Sequence, residues 1–284
     1  MTVSVIIPVA RRDLLQTCRR SVDESIAYCD TNIDWDVVEI FDDEHKGVSW
    51  ARNEGLKRAV GEWVAWVDCD DVVEKRWASA IASQLMNMVE SSAQYDVLVY
   101  GVNSIRNGRK SAIRMCASNI IMEPFDFLRS CLLDKTGSTW LWNKVFRCTL
   151  FDGLEFKGQT QEDFRLMPRL FCRAKGVAVM PDLLYEYRRP AGSLTHKGGG
   201  HINAEGIIEA INDDLDDVQN ATVLLKIWKE GCALRAADWL YHSGYDSTLH
   251  RFLLKNIHRV IFDGNQSIRI KIKCIIALLM YHKR

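Results

Sequence analysis

The stretch Gly61–Val73, GEWVAWVDCDDVV, decides how this chain folds. Residues Glu62–Asp68, apolar from Trp63 to Val67, look like a strand, and its end begins a set of three carboxylates in four positions, Asp68, Asp70 and Asp71. Like charges gathered at one strand end repel one another and resist desolvation, so the stretch raises the question of what neutralises them.

The neighbouring sequence sets that strand in a repeating pattern. Ser49–Val60 (SWARNEGLKRAV) reads as a helix with Ser49 as its N-cap and Gly61 as its stop. Before it, Trp35–Asp43 (WDVVEIFDD) reads as a strand that closes on paired aspartates. Arg11–Cys29 carries Leu14, Leu15, Cys18, Val22 and Ile26 at helical spacing. The N-terminal Val3–Val9 (VSVIIPV) is an almost unbroken β-branched run, which suits a strand covered on both faces. The resulting β-α-β-α-β order predicts an α/β fold with a parallel arrangement at its start and ligands at the carboxyl ends of the strands.

Downstream the spacing predicts a helix over Lys75–Glu90 and a strand over Tyr95–Val102. A hairpin is expected to turn at Asn107-Gly108, then a helix over Glu123–Asp134 with Pro124 in its first turn. Thr139–Phe151 and Gln161–Ala174 flank a glycine-containing loop, and Gly176–Pro181 and Leu183–Arg189 read as short strands. The glycines of KGGGH, residues 197–201, mark a link, with the pattern helical beyond it. The expected organisation is an α/β domain over 1–200, a sheet flanked by helices, and a helical C-terminal region over 201–284.

Lysine plus arginine, 37 residues, equals aspartate plus glutamate, also 37, so no global field points to nucleic acid. No apolar run reaches ~18 residues, so no spanning helix is expected, and the N-terminus reads as a strand rather than an export signal. Nine cysteines without CxxC spacing suit free thiols in a reducing cytoplasm rather than a zinc site.

Three readings compete for Asp68, Asp70 and Asp71: a solvated turn with a helix cap, an acidic surface patch, and a divalent-cation site that presents a nucleotide diphosphate. Carboxylates at the end of an interior strand suit the third, since Mg²⁺ or Mn²⁺ prefers carboxylate oxygens together with substrate phosphates. Cys69, between them, is expected to face inward.

The chain resembles the family 2 glycosyltransferases, with their nucleotide-sugar-binding GT-A fold. VSVIIPV at the N-terminus, FDD at 41–43, KGVSWARNEGL at 46–56, GEWVAWVDCDD at 61–71, WNKVFR at 142–147, the run from Gln161 to Arg189 and GSLT at 192–195 carry the resemblance, in the family's order. The resemblance implies that Pro8 and Val9 approach the nucleotide and that Asp42 or Asp43 accepts from its base or ribose. Arg52 and Asn53 would line the nucleotide side, and Asp68 and Asp70 would form the DxD metal element, Asp70 the more direct ligand. Asp163, with Glu162 beside it, matches the general base, and Trp142, Asn143 and Lys144 the acceptor side. His196 is a further candidate metal ligand, its alternative being a surface histidine. One departure stands out: where the family inserts a further helix and strand, only Glu44–Lys46 separates Asp43 from Gly47. That opens two registers for the strand ending at Asp43.

Other readings of the same residues are structural. Asp163 could serve a helix dipole, Arg52 could pair with Glu54, Glu62 or a surface aspartate, and Trp140, more than Trp142, reads as a core residue. Asn212–Asp217 reads as a solvated helical face. The C-terminal SIRIKIKCIIALLMYHKR sets Arg269, Lys271, Lys273, Lys283 and Arg284 around apolar Cys274–Met280, which suits peripheral membrane contact or docking on the protein or a second subunit.

The expected activity is inverting, metal-dependent transfer of a sugar, from a UDP-sugar in the first place, to a hydroxyl of a saccharide or lipid-linked acceptor in surface polysaccharide synthesis. Mn²⁺ or Mg²⁺ would serve as cofactor, at the inner face of the membrane. A catalytically silent binding protein of the same fold and a nucleotidyltransferase are the alternatives. The latter usually has a glycine-rich phosphate loop near the first strand, and PVARRDLL has no glycine.

Overall fold

A computed structural model describes residues 1–91, 93–106, 108–133, 139–158, 160–188, 204–213, 215, 221–264 and 266–281. The chain divides into two compact units: Met1–Phe127, Trp140–Lys157 and Arg173–Pro190 form the first, and Leu128–Thr139, Gly158–Cys172 and Ala191–Arg284 the second. The expected link at 197–201, and with it a boundary at residue 200, lies outside the described residues.

The first unit begins with β1 (Thr2–Val9), α1 (Arg12–Ala27), β2 (Asp34–Phe41), α2 (Val48–Arg58) and β3 (Trp63–Trp66). β1 lies between β2 and β3, parallel to both, and all eight residues of β2 are in register with it, from Thr2 opposite Asp34 to Val9 opposite Phe41. β2 therefore takes the earlier of the two positions its sequence allowed, as the second strand of a βαβ unit. It ends the strand order, and no described strand pairs with its outer edge.

Along the chain then follow β4 (Val72–Val73), α3 (Trp77–Ser91), β5 (Val97–Arg106), β6 (Arg109–Ile113), β7 (Ile120–Met122), α4 (Pro124–Leu132), β8 (Lys144–Arg147), a 3-10 turn (Cys148–Phe151), α5 (Glu162–Arg173) and β9 (Val177–Arg188), with α4 from Leu128 and α5 up to Cys172 belonging to the second unit. The sheet runs β2-β1-β3-β8-β5-β9-β4, with β6 on β5 and β7 on β9. Past β3 it is mixed: β8 is antiparallel to both β3 and β5, whereas β9 is parallel to β5. β5 and β6 meet from Arg106 opposite Arg109, as a two-residue hairpin requires, and Gly108 has φ +73°; Asn107 lies outside the described residues.

Burial explains the strand composition. Every residue of β1 from Val3 onward is buried, as is every residue of β3: α1 and α3 cover one face, and on the other α2 lies against Ile6 of β1 and Phe151 and Phe156 against Trp66 of β3. Trp63, Ala65 and Val67 face a core shared with Cys18 and Val22 of α1 and with Trp77, Ile81 and Leu85 of α3. Trp66 points the opposite way, edge-on to Phe151 and Phe156 at centroid distances of 6.1 and 5.4 Å. Cys69 packs inward, as expected, and all nine cysteines are free.

Several expected boundaries moved. β3 spans four residues rather than Glu62–Asp68, because its pairing with β8 ends at Ala65 and the chain turns away. The two short strands expected over Gly176–Arg189 are one, β9, whose register with β5 shifts around Gly101; Pro181, with no N–H to give, falls in that irregularity. α2 starts at Val48, with Gly47 rather than Ser49 at its N-cap, at φ +98°.

The second unit contains α6 (Ala204–Ile211), α7 (Ala221–His242), α8 (Ser247–Ile261) and α9 (Ile268–Leu279), packed around Ala233, Ala236, Leu240, Leu249, Leu253 and Cys274. The expected acidic face over Asn212–Asp217 is not helical where it is described. α6 stops at Ile211, and Asp213 pairs with Arg165 and Arg169 at 3.5 and 3.4 Å; Asp214, Asp216 and Asp217 lie outside the described residues.

One buried hydroxyl ties the parallel strands together. Ser4 Oγ donates to Asp36 Oδ2 at 2.8 Å and accepts from the backbone N–H of Gly61 at 2.8 Å and of Val60 at 3.1 Å. The approach requires glycine at 61, since a Cβ there would sit 2.5 Å from Ser4 N and 2.7 Å from Trp63 O, both backbone atoms. Gly61→Ala is expected to destabilise the first unit by about 1–3 kcal/mol, read as a lower urea midpoint at unchanged slope.

Candidate active site

The aspartates after β3 have separate environments. Asp71 is 1% exposed, and its Oδ2 accepts from the Tyr185 hydroxyl at 2.9 Å and its Oδ1 from the Arg188 backbone N–H at 2.6 Å. The same hydroxyl accepts from Asp68 N at 3.1 Å, and Asp71 N closes the turn onto Asp68 O at 3.0 Å. Asp71 is thus a structural anchor that fastens the strand end to β9. Asp68 Oδ1 lies 3.6 Å from the Arg52 guanidinium, which α2 delivers from a site only 5% exposed and holds 5.7 Å from the Phe156 ring centre. Asp70 has no such arrangement. Burial first, then the charge of Asp68, pushes its carboxyl up to about 6, with Arg11 pulling weakly the other way.

Pro8 and Val9 end β1 beside this turn, and Val9 O accepts from Asp42 N at 3.1 Å. The Asp42 carboxylate is used locally: Oδ1 accepts from Lys46 N at 2.7 Å and Oδ2 from Gly47 N at 2.8 Å, which shapes the short link into α2. Asp43 forms a fork with Arg12, with N–O distances of 2.6 and 2.8 Å, at a solvent-exposed site where water screens the pair. Asn53 grips the backbone of Phe156 from both sides, at 3.0 and 2.8 Å, and so holds the aromatic ring that Arg52 overlies.

Trp142, Asn143 and Lys144 build a platform against the same tyrosine. Trp142 stacks on Tyr185 (4.7 Å, 20°), Tyr187 (5.1 Å, 16°) and Trp140 (4.6 Å, 13°). The burial expected for Trp140 belongs to Trp142, which is 5% exposed and part of the core, with Trp140 half-buried at the outer end of the stack. Asn143 and Lys144 are fully buried: Asn143 donates to Tyr100 O at 3.2 Å, and Lys144 Nζ to Trp140 O at 2.6 Å and Asn143 Oδ1 at 2.8 Å. A lysine there fixes backbone, since its ammonium answers oxygens that burial would otherwise strand.

Pro8, Val9, Arg52, Asp68, Asp70 and the Trp142 platform thus come together at one end of the sheet in the first unit. Asp42, Asp43 and Asn53 are beside them, with their polar atoms engaged in protein contacts. Glu162 and Asp163 belong to the second unit, in the first turn of α5, where the helix dipole favours carboxylate. Asp163 Oδ1 accepts from Phe164 N at 2.6 Å, and Gln161 before them has φ +61°. His196 lies outside the described residues. The clamp of Asp71, Tyr185 and Arg188 was not read from the sequence. Its one available signal was the excess of a third aspartate over what a cation needs.

Asp68 and Asp70 suit Mg²⁺ or Mn²⁺ as hard oxygen donors. Among the described residues no group of three or more His, Cys, Asp or Glu side chains is arranged to hold a metal ion. A cation held by these two carboxylates would therefore complete its shell with water and phosphate oxygens, its usual habit at nucleotide sites.

Known proteins resemble this chain in sequence and in fold. Residues 4–154, just over half of the 284-residue chain, match the family model described as glycosyl transferase family 2. Glycosyltransferase GlyG of Streptococcus pneumoniae serotype 4 is 23% identical over 221 residues, covering 69% of this chain and 67% of its own. An uncharacterized glycosyltransferase of Bacillus subtilis, EpsJ, is 27% identical over 165 residues, which are 56% of this chain and 46% of that one. Among solved structures, S. aureus TarS 1–349 in complex with UDP-GlcNAc shares the fold at TM-score 0.55 and 18% identity, over 98% of this chain and 80% of that one. The same protein in complex with UDP gives 0.56 at 16% identity, over 98% and 89%. The mixed sheet flanked by helices is therefore the GT-A fold.

The raised Asp70 carboxyl has a measurable sign. Below the ordinary aspartate value of 3.8 both folded and unfolded chains hold the proton; above about 6 the folded protein bears an unfavourable buried charge that the unfolded chain does not. Asp70→Asn is expected to stabilise the protein in EDTA above about pH 6, by on the order of 1–3 kcal/mol, and to leave it nearly unchanged at about pH 3, below both values. Urea titrations at the two pH values measure the difference.

Proposed function

We propose a nucleotide-sugar donor, a UDP-sugar in the first place, for this chain, which belongs to glycosyl transferase family 2 and is a glycosyltransferase. The observation that carries the reading is the pairing of Asp68 and Asp70 at the carboxyl end of β3, with Arg52 buried behind Asp68 and the end of β1 alongside. Two hard carboxylates with too few partners for a metal of their own suit a cation shared with a diphosphate. The UDP and UDP-GlcNAc bound by TarS, a protein of the same fold, support a uridine nucleotide.

The chemistry assigned is a single displacement. The acceptor hydroxyl of a saccharide or lipid-linked acceptor attacks the anomeric carbon, the bond to the diphosphate oxygen breaks, and the configuration inverts. Asp163 takes the hydroxyl proton as the new bond forms, and Glu162 stands beside it in the first turn of α5. Asp68 and Asp70 would hold Mn²⁺ or Mg²⁺, which supplies charge stabilisation to the departing diphosphate. Arg52 fixes the Asp68 carboxylate, and Trp142, stacked on Tyr185, keeps that strand end from shifting when charge develops there. A role in surface polysaccharide synthesis at the inner face of the membrane, as a single chain or as a homo-oligomer, belongs to the same proposal.

The proton assignment separates from donor binding. Asp163→Asn is expected to lower transfer by a factor of about 10²–10⁴ while calorimetry still detects Mn²⁺-dependent UDP binding. Asp70→Ala is expected to lose both. Near-full transfer by Asp163→Asn removes it as the base, and UDP binding indifferent to metal removes the shared cation.

A further inference from the structure

α9 is attached by one side only. Its Cys274 and Ala277 are buried, and Ile270, Leu278 and Tyr281 pack with them into the core of the second unit. Successive residues of a helix advance by about 100°, which places Ile268, Ile272, Ile275, Ile276 and Leu279 on the opposite side. All of them are exposed, Ile268 at 76% and Leu279 at 64%. An outward face of that composition has no place on an ordinary solvated helix, whose outer positions are polar.

The charges around the stripe are of one sign. α9 contains no aspartate or glutamate; Arg269 and Lys273 flank the stripe on one side and Lys271 on the other. Lys273 is paired with Asp238. The helix is too short to cross a bilayer: twelve residues extend about 18 Å, against about 30 Å of hydrocarbon, and no described helix is long and apolar enough to span. A second copy of this chain, docked through the same face about a twofold axis, would bring each cationic rim against its own kind. An anionic surface complements that rim.

We infer that the outer face of α9 is a membrane-docking surface, with the helix lying in the interfacial plane of an anionic bilayer, its isoleucines among the acyl chains and Arg269 and Lys271 among the headgroups. The inference requires no assignment in the catalytic machinery, and it gives the chain a way to meet an acceptor confined to lipid.

Flotation of the 284-residue chain tests it. Vesicles of phosphatidylcholine with a third phosphatidylglycerol are expected to carry the protein at low salt, and pure phosphatidylcholine to carry much less. Each basic side chain near such a surface contributes about fivefold in partitioning, so Arg269→Gln with Lys271→Gln is expected to lower binding by about thirtyfold. Raising salt to about 0.5 M is expected to act in the same direction. Ile272→Asp with Leu279→Asp, both at exposed positions, is expected to abolish flotation with an unchanged circular dichroism spectrum. Failure of the unaltered chain to float with anionic vesicles overturns the inference, as does equal binding to neutral ones. So does a dimer in light scattering that Ile272→Asp dissociates while vesicle binding is absent, since the occupant is then a second copy.

Discussion

The constraint on which the first unit turns is the mutual repulsion of Asp68, Asp70 and Asp71 at the end of a buried strand. The protein answers each charge by a different means. Asp71 is drawn inward and saturated by a phenol and a backbone amide, Asp68 is set against a buried guanidinium, and Asp70 is left with a carboxyl that resists ionisation. Asp71 has both carboxylate oxygens engaged from within the chain, so Asp68 and Asp70 are the two oxygen donors proposed to share a cation.

Tyr185 makes that distribution possible. Its hydroxyl joins Asp68 to Asp71, its ring carries Trp142, and its strand, β9, crosses the sheet beside β5 and reaches β4. A displacement of the aromatic stack would therefore be felt at the aspartates. Residues that by sequence stand near 68, 142 and 185 form one mechanical element, in which stacking fixes orientation and hydrogen bonds fix distance.

Much of this was legible beforehand, and the limits follow from physics. The βαβαβ start was readable because parallel strands covered on both faces leave unbroken apolar runs, such as VSVIIPV, and because α1 declares itself through Cys18 and Val22 at helical spacing. The antiparallel insertion of β8 between β3 and β5 was not, since the four residues KVFR carry no periodicity that distinguishes directions. Residue types at 68 and 70 announced charge, but not that Arg52 would meet it, because that contact joins α2 to a strand end through the fold alone. The roles of Asn53 and Lys144 were hidden for a similar reason: polar side chains spent on backbone groups look, in a sequence, like side chains held ready for a ligand.

The short link between Asp43 and Gly47 leads out of β2 at the end of the strand order, with no described strand on its outer edge, and such a margin is a template on which another molecule can add a strand. Its sequence, DWDVVEIF, sets a carboxylate at positions 34, 36 and 39. Two of these are tethered, Asp36 to Ser4 and Glu39 to Arg19, so that negative charge is fixed along the strand. Fixed negative charge there is a guard against amyloid-like stacking of the chain's own copies, and a neutral replacement at Asp36 would remove both that guard and the hydrogen bond to Ser4.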